Sequence, residues 1–330
     1  MLADRFRAAR EAAGLTQSEL AARAGVSRQL VGALEAGRHL PRVDAALRLA
    51  GVLGENPARL FGHRPAPLDV ATGTTPADGT AVRVGEVGDL VVTAPAEVGA
   101  IGWGIADGVV DDGDVMGPPG RPGAVLIGCE PGLAVLEQLQ RESGRRAVSV
   151  AASSAVARVA LEAGRAHAAV VHGPDGEPLP GAPAGALRLH LARWRVGLAA
   201  SPDLGGDWWR RALSGDLAVV QREPGAAVQA ELAAAAGRDL PGPTASGHVA
   251  AVAMALASGR AALTIEPAAI AAGAAFHPLG LHRAELWVAA DHVVEPVVVD
   301  ALDAVTDRRF RGRLLSIGGY DLTDLGVAAA

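Results

Sequence analysis

The stretch Leu15–Arg42, LTQSELAARAGVSRQLVGALEAGRHLPR, decides how the N-terminal region is read. Thr16 is placed to cap a helix through Gln17, Glu19, Leu20, Ala21 and Ala22, and Glu19, three residues on, completes a capping box. Gly25 supplies the left-handed backbone of a tight turn, Val26 plugs the space between two helices, and Ser27 caps the second. Leu20, Val26, Val31 and Leu34 then share an inner face, while Arg28, Gln29 and Gly32 point outward. The spacing predicts helix, short turn, helix.

The outward set has a chemical meaning. Side chains on the first turn of such a second helix reach the major groove, where Arg bridges guanine and Gln bridges adenine. Arg28 and Gln29 hold those positions, with Ser27 and Gly32 flanking them; Gln17 is placed for a phosphate, and Arg38 and Arg42 for further backbone contacts. Charge agrees: residues 1–62 carry nine Arg against six acids, net +3, and the remainder carries 21 Arg against 30 acids, net -9. A basic module precedes an acidic body, and the local sign matters because phosphate contacts dominate the affinity of DNA binders.

Residues Thr16 to Arg38, TQSELAARAGVSRQLVGALEAGR, resemble the lambda-repressor-like helix-turn-helix of the xenobiotic-response-element class, over roughly the first 60 residues. That family often carries Ser where this chain has Gly32. The resemblance implies a double-stranded DNA operator as partner and a homodimer as the binding species. After Pro41, VDAALRLAGVLG and ENPARLFG predict two more helices that close an all-α bundle.

Composition sets outer bounds. A chain of 330 residues that is 50% apolar can bury more than one core, and with 3% aromatics those cores are filled by Ala, Val and Leu. With Cys129 as the lone cysteine, neither an intrachain disulfide nor a Cys-based zinc site is expected, and the chain fits a reducing cytoplasm. The start MLADRFRAAREAAGL has no apolar leader core, and VAAVAMALA from Val249 is too short to span a bilayer. A cytoplasmic protein without a membrane segment is expected.

HRPAPLDVATGTTPADGT reads as an irregular connector, so the expected domains are 1–62, a linker at 63–79, a hairpin or connector region at 80–121, and a body at 122–330. Asp111, Asp112 and Asp114 lack the rest of a calcium loop and read as a solvated turn. From Ala124 onward, short apolar strands alternate with amphipathic helices, the pattern of a parallel sheet wrapped by helices. A second such series follows LRLHLARWRVGLAAS, which suits crossing strands; WWRRALSG, GAAVQAELAAAAG and HVAAVAMALAS suit helices, AELWVAADH a strand, and EPVVVDALDAVTDRRFRGRLLS a closing helix pair. Two sub-domains joined by crossing strands form a cleft at strand ends and helix N-termini.

The order of IGCEPGLAVL, SSAVARVALEAGRAHAAVVHG, ARWRVGLAASP, VVQREPGAAVQ, GHVAAVAMALASGRAALTIEP and LLSIGGYD is similar to the periplasmic-binding-protein-like, substrate-binding domain found behind a helix-turn-helix in some bacterial regulators, across residues 80–323. The resemblance implies a two-lobed type II α/β fold and a small-molecule effector, with an oxyanion such as molybdate or tungstate first. Ser153, Ser154 and Arg222 are the candidate anion cradle, and Glu130, His172, Trp194 and Glu266 complete the candidate ligand-binding set. Gly225, Ala226 and Ala227 stand where the family often shows Ser-Gly-Thr, which makes a polar organic effector the alternative. Each candidate also has a plainer reading: Ser153 and Ser154 as a helix cap, Arg222 paired with Glu223 at the surface, His248 as a cap, Trp194 as hinge core. Without a GxSxG elbow, an HExxH pair or a phosphate loop, catalysis, a cofactor and a metal are not expected, and an enzyme fused to a DNA-binding module is the more distant alternative.

Overall fold

The computed structural model describes residues 2–62, 66–96, 98–99, 102–103, 106–117 and 123–329. Two compact units are present: the first holds residues 1–67, 76–82 and 96–120, the second residues 68–75, 83–95 and 121–330. Parts of the expected linker and connector, among them His63, Arg64, Pro65 and residues 118–121, lie outside the described residues.

Five helices open the first unit: α1 (Leu2–Ala12), α2 (Gln17–Ala24), α3 (Arg28–Glu35), α4 (Val43–Leu53) and α5 (Pro57–Phe61). Thr16 and Glu19 form the full capping box, α2 ends on Gly25 in the left-handed conformation (φ 62), and Ser27 Oγ accepts the Leu30 N–H at 3.1 Å. Phe6, Leu20, Val31, Leu34 and Leu49 are fully buried in one cluster, against which Val26 packs. Each such side chain contributes about 1.5–3 kcal/mol on leaving water.

One polar residue shares that interior. Glu35, at the end of α3, is 5% exposed; Arg10 Nε on α1 donates to its Oε1 at 2.6 Å, and Gln17 Nε2 on α2 donates to its Oε2 at 2.8 Å. Arg7 adds a bond to the Glu35 backbone carbonyl at 2.9 Å. A single carboxylate therefore joins the first three helices. Burial alone would raise its pKa, but the hydrogen bonds from Arg10 and Gln17 and the charges of Arg10 and Arg7 outweigh burial and hold it below the usual carboxylate range.

Seven short strands follow: β1 (Leu68–Asp69), β2 (Ala81–Val87), β3 (Leu90–Pro95), β4 (Val98–Gly99), β5 (Gly102–Trp103), β6 (Gly108–Asp111) and β7 (Asp114–Met116). In the first unit, Ala81 and Val82 pair with β6, and β6 pairs with β7 around a turn at Asp112 and Gly113, both at positive φ. The acidic segment is thus a hairpin with its carboxylates about the tip. In the second unit, β1 runs parallel to β3, so the stretch read as irregular connector contributes a strand. Arg83 of β2 binds the Glu137 carboxylate at 3.0 Å and the Ser149 carbonyl at 2.7 Å.

The rest of the second unit alternates strand and helix: β8 (Ala124–Gly128), α6 (Gly132–Glu142), β9 (Ala147–Ala151), α7 (Ser154–Glu162), β10 (Ala168–Pro174), β11 (Leu187–Ala200), α8 (Trp208–Ser214), β12 (Val219–Arg222), α9 (Gln229–Ala236), β13 (Thr244–Ala245), α10 (His248–Ser258), β14 (Ala261–Ile265), α11 (Glu266–Ala271), β15 (Ala275–Val288), α12 (Pro296–Thr306) and α13 (Arg308–Ile317). One sheet orders the strands β13-β12-β14-β11-β15-β10-β8-β9. Strands β8 and β14 are buried at every position, as inner strands covered on both faces require. The 14-residue strands β11 and β15 pair antiparallel from Leu187↔Val288 to Ala200↔Ala275 and carry a lobe at each end. One lobe holds β8–β10, the other β12–β14. β15 begins nine residues before the expected strand, because Pro278 and Gly280 interrupt the apolar pattern; Pro278 falls at a register shift, where its missing N–H is tolerated.

Glu35→Ala strands the Arg10 and Gln17 donors, and we expect it to lower the stability of the helical bundle by about 3 kcal/mol, measured by denaturant unfolding. Because the Glu35 pKa is depressed in the fold, its contribution is full above the ordinary carboxylate range and is lost as pH falls through its folded value. Glu35→Gln should abolish that acid-sensitive part.

Candidate effector site and DNA-reading face

In the first unit, Arg28 and Gln29 open α3 and are exposed, as are Arg38 and Arg42 in the loop that follows. Ser27, Gln29, Gly32, Arg38 and His39 border a shallow surface depression. Ser27 is the α3 cap, and Gln17 is held by Glu35, which fixes its amide at the start of α2. Arg28 and Gln29 thus stand open to solvent on the first turn of α3, whereas the Gln17 amide is engaged within the bundle.

In the second unit, residues far apart in sequence converge between the lobes. Cys129 and Glu130 follow β8, Ser154 opens α7, and His172 lies on β10; Arg222 ends β12, and His248 opens α10; Trp194 and His282 sit on the crossing strands. All are buried. His172 Nδ1 lies 3.0 Å from His282 Nδ1, and His282 Nε2 lies 3.0 Å from Glu231 Oε1 of α9. Since a carboxylate only accepts, His282 donates from Nε2, which leaves its Nδ1 as acceptor and makes His172 Nδ1 the donor. The His172 ring also packs against Trp194 and His248, with centroids 5.7 and 6.0 Å apart.

Arg222 is tied to both Glu223 oxygens at 2.9 Å and donates to His248 Nδ1 at 2.5 Å. The expected pairing with Glu223 is present, but in the interior: Arg222 is 2% exposed. His248 does not cap α10; Gly247 holds the cap position without a side chain, and the imidazole turns inward toward Arg222 and Thr264. Burial, then the charge of Arg222, pushes the His248 pKa well below the usual histidine value; burial, then His282, does the same to His172. The imidazoles of this seam are neutral.

Ser153 caps α7, accepting the Val156 N–H at 3.3 Å, whereas Ser154 Oγ accepts the His172 N–H at 3.2 Å and lies 3.9 Å from Cys129 Sγ. Gly225, at φ 82, brings the other lobe so near that a Cβ would sit 2.9 Å from Ala155 Cβ. Only glycine combines that backbone with that approach. Glu266 pairs instead with Arg195. Burial pushes the Cys129 thiol up to about 12, so it is inert as a nucleophile.

Glu130, an expected member, is buried. Tyr320 Oη donates to its Oε1 at 2.6 Å and the Gly132 N–H at 2.7 Å, while Oε2 is buried without a partner. Burial, offset in part by those two bonds, raises its pKa to about 7. Trp194 Nε1, on an indole 6.2 Å from the Tyr320 ring, is also buried without a partner. Sequence reading missed Tyr320, His282, Glu231 and Thr264, which reach the seam only through the tertiary fold.

A two-lobed binding domain with a polar seam, joined to a basic helix-turn-helix, defines the class of molecule. Residues 136–306, more than half of the chain, match the PBP superfamily domain, and residues 6–60 match the helix-turn-helix family; the chain belongs to the PBP superfamily and carries an N-terminal helix-turn-helix of the lambda-repressor-like class. A 45-residue segment is 53% identical to an uncharacterised HTH-type transcriptional regulator of Methanothermobacter thermautotrophicus, covering 14% of this chain and 65% of that protein. Among solved structures, a restriction-modification controller protein from Aeromonas hydrophila is 37% identical over 18% of this chain and 91% of its own, with a TM-score of 0.18. An ABC-type phosphate transport receptor from Vibrio cholerae is 10% identical over 59% of this chain and 98% of its own, with a TM-score of 0.42. Among the described residues no helix is long and apolar enough to cross a membrane.

Glu130→Gln keeps an acceptor for Tyr320 and Gly132 while removing a buried charge. A raised carboxyl pKa stabilises below the unfolded value, and that stability is lost as pH rises through about 7. We therefore expect the variant to unfold with wild-type stability near pH 4 and to gain about 3 kcal/mol at pH 8, read by thermal denaturation at both pH values.

Proposed function

We propose that the protein is a ligand-responsive transcriptional regulator: a homodimer, acting as a repressor, whose seam closes on a small polar effector and thereby changes how two α3 helices meet an operator. The observation that carries the effector reading is the pair of buried polar atoms without partners, Glu130 Oε2 and Trp194 Nε1, in the seam between the lobes. A ligand that bonds to them relieves a desolvation cost in the closed arrangement alone, and that differential affinity is what shifts a conformational equilibrium. Recognition helices of a two-fold dimer lie about 34–36 Å apart, so a small change in their separation alters operator affinity. The reading is of a binding protein, not a catalyst.

Two effector classes follow from the state of Glu130. As a neutral acid it donates, and with the indole N–H it suits an oxyanion such as molybdate or tungstate; as a carboxylate it accepts, and suits a polar organic molecule with a hydroxyl or amine. Thermal shift with both classes at pH 6 and pH 8 separates them. An oxyanion effector should stabilise more strongly at pH 6, an amine or hydroxyl effector at pH 8. No shift from either class at either pH would sink the effector reading.

The DNA half has its own test. Arg28→Ala and Gln29→Ala should each weaken binding to the selected operator by about 10–100-fold while leaving effector-induced stabilisation intact, measured by fluorescence anisotropy on DNA and thermal shift in parallel. Equal loss of both activities would mean misfolding, and unchanged DNA affinity would remove α3 as the reading helix.

A further inference from the structure

The seam also holds a thiol and two imidazoles whose ligand atoms lie within 4.8 Å of one another: Cys129, His172 and His248, all buried. We propose that these three side chains form a zinc-binding site that bridges the two lobes. Cys129 and His172 come from the lobe of β8 and β10, and His248 from that of β12 and α10. The proposal stands apart from the effector and operator readings and needs neither.

The donor set and its surroundings support the assignment. One thiolate and two imidazoles are the borderline-soft donors zinc prefers, and three protein ligands leave one tetrahedral position for water or another small ligand. Around a tetrahedral zinc such donors stand roughly 3.3–3.6 Å apart, so the site closes by about 1 Å, within the reach of side-chain rotation. The His172 tautomer suits a ligand: its Nδ1 donates to His282, which donates to Glu231, leaving the lone pair on Nε2. Gly280 makes room for that support, because a Cβ there would sit 2.7 Å from Glu231 Oε2.

His248 Nε2 is buried without a hydrogen-bond partner. For it to coordinate, the ring proton moves to Nδ1, where Thr264 Oγ1, at 3.5 Å, accepts it, and the Arg222 Nη1 bond to His248 is given up while Nε and Nη2 keep their bonds to Glu223. One further proton, from Cys129 Sγ, leaves to solvent as the zinc–sulfur bond forms. The other group with metal-like spacing, His167, His292 and Glu295, is different in kind. His167 Nδ1 accepts the Val125 N–H at 2.9 Å, a backbone donor within the sheet that, unlike the Arg222 side chain at His248, cannot turn away; the proton on Nε2 is thereby committed to Glu295 and no lone pair is left for a cation.

The test uses full-length protein without a histidine tag, stripped with chelator and titrated with cobalt(II), then zinc(II). The expected result is stoichiometric cobalt uptake with a thiolate-to-cobalt charge-transfer band and strong tetrahedral ligand-field bands, all bleached by zinc. Because Cys129 is the only cysteine in the chain, that band assigns ligation without any variant. Cys129→Ser should abolish the band, and Glu231→Gln, which loosens the support behind His172, should weaken zinc by about 10–100-fold. Absence of the thiolate band in the wild type, or undiminished zinc affinity in Cys129→Ser, would overturn the site. Loss of operator binding alone would refute the regulatory reading and leave this one standing.

Discussion

The antiparallel pairing of β11 with β15 is the constraint on which the second unit depends. Each strand has 14 residues, and each lobe's three remaining strands attach to one side of this ribbon. Sheet hydrogen bonds tie it along its length, so the lobes are fixed to a common spine. Ligand chemistry belongs in that position, because residues on opposite sides are brought together by strand geometry without being linked in sequence. Trp194 and His282, directly paired on the two strands, occupy the middle of the spine and form the floor of the seam.

What meets above that floor is polar, and its cost is managed by neutrality. Burial holds the three imidazoles below the usual histidine pKa and draws Glu130 toward its acid form, and the Arg222 cation is matched by Glu223. Burial of unpaired charge costs several kcal/mol per ion, whereas neutral groups need only hydrogen-bond partners. The helical unit handles its interior polar residue differently: Glu35 stays ionised because Arg10 and Gln17 reach it directly. The seam is held by neutral groups, and the helical junction by an ion pair.

The N-terminal fold was legible because its signals are local. Thr16 and Glu19 lie three residues apart, Gly25 marks its own turn, and Ser27 caps the next helix, so sequence spacing alone places α2 and α3. The strand and helix order of the second unit was legible for the same reason. Glu35 as a three-helix junction was not, since its partners lie 18 and 25 residues away. The seam was legible in part: Glu130, Ser154, His172, Trp194 and Arg222 meet there, while Glu266 is engaged with Arg195. Tyr320 reaches Glu130 across 190 residues, and His282 is concealed in a strand that Pro278 and Gly280 disguise. That Cys129 lies beside His172 and His248 could not be read from cysteine spacing, because the histidines come from distant strands and helices.

Trp194 gives this architecture an optical consequence. Trp287, also a fully buried indole, already donates to Glu285 and lies under Arg188. Trp194 has a bare N–H, a neutral imidazole beside its face and Tyr320 at its edge. Its excited state is therefore sensitive to each proton, ion or hydrogen-bond acceptor that enters the seam. Events between the lobes can be followed through emission from the native chain, with no attached dye.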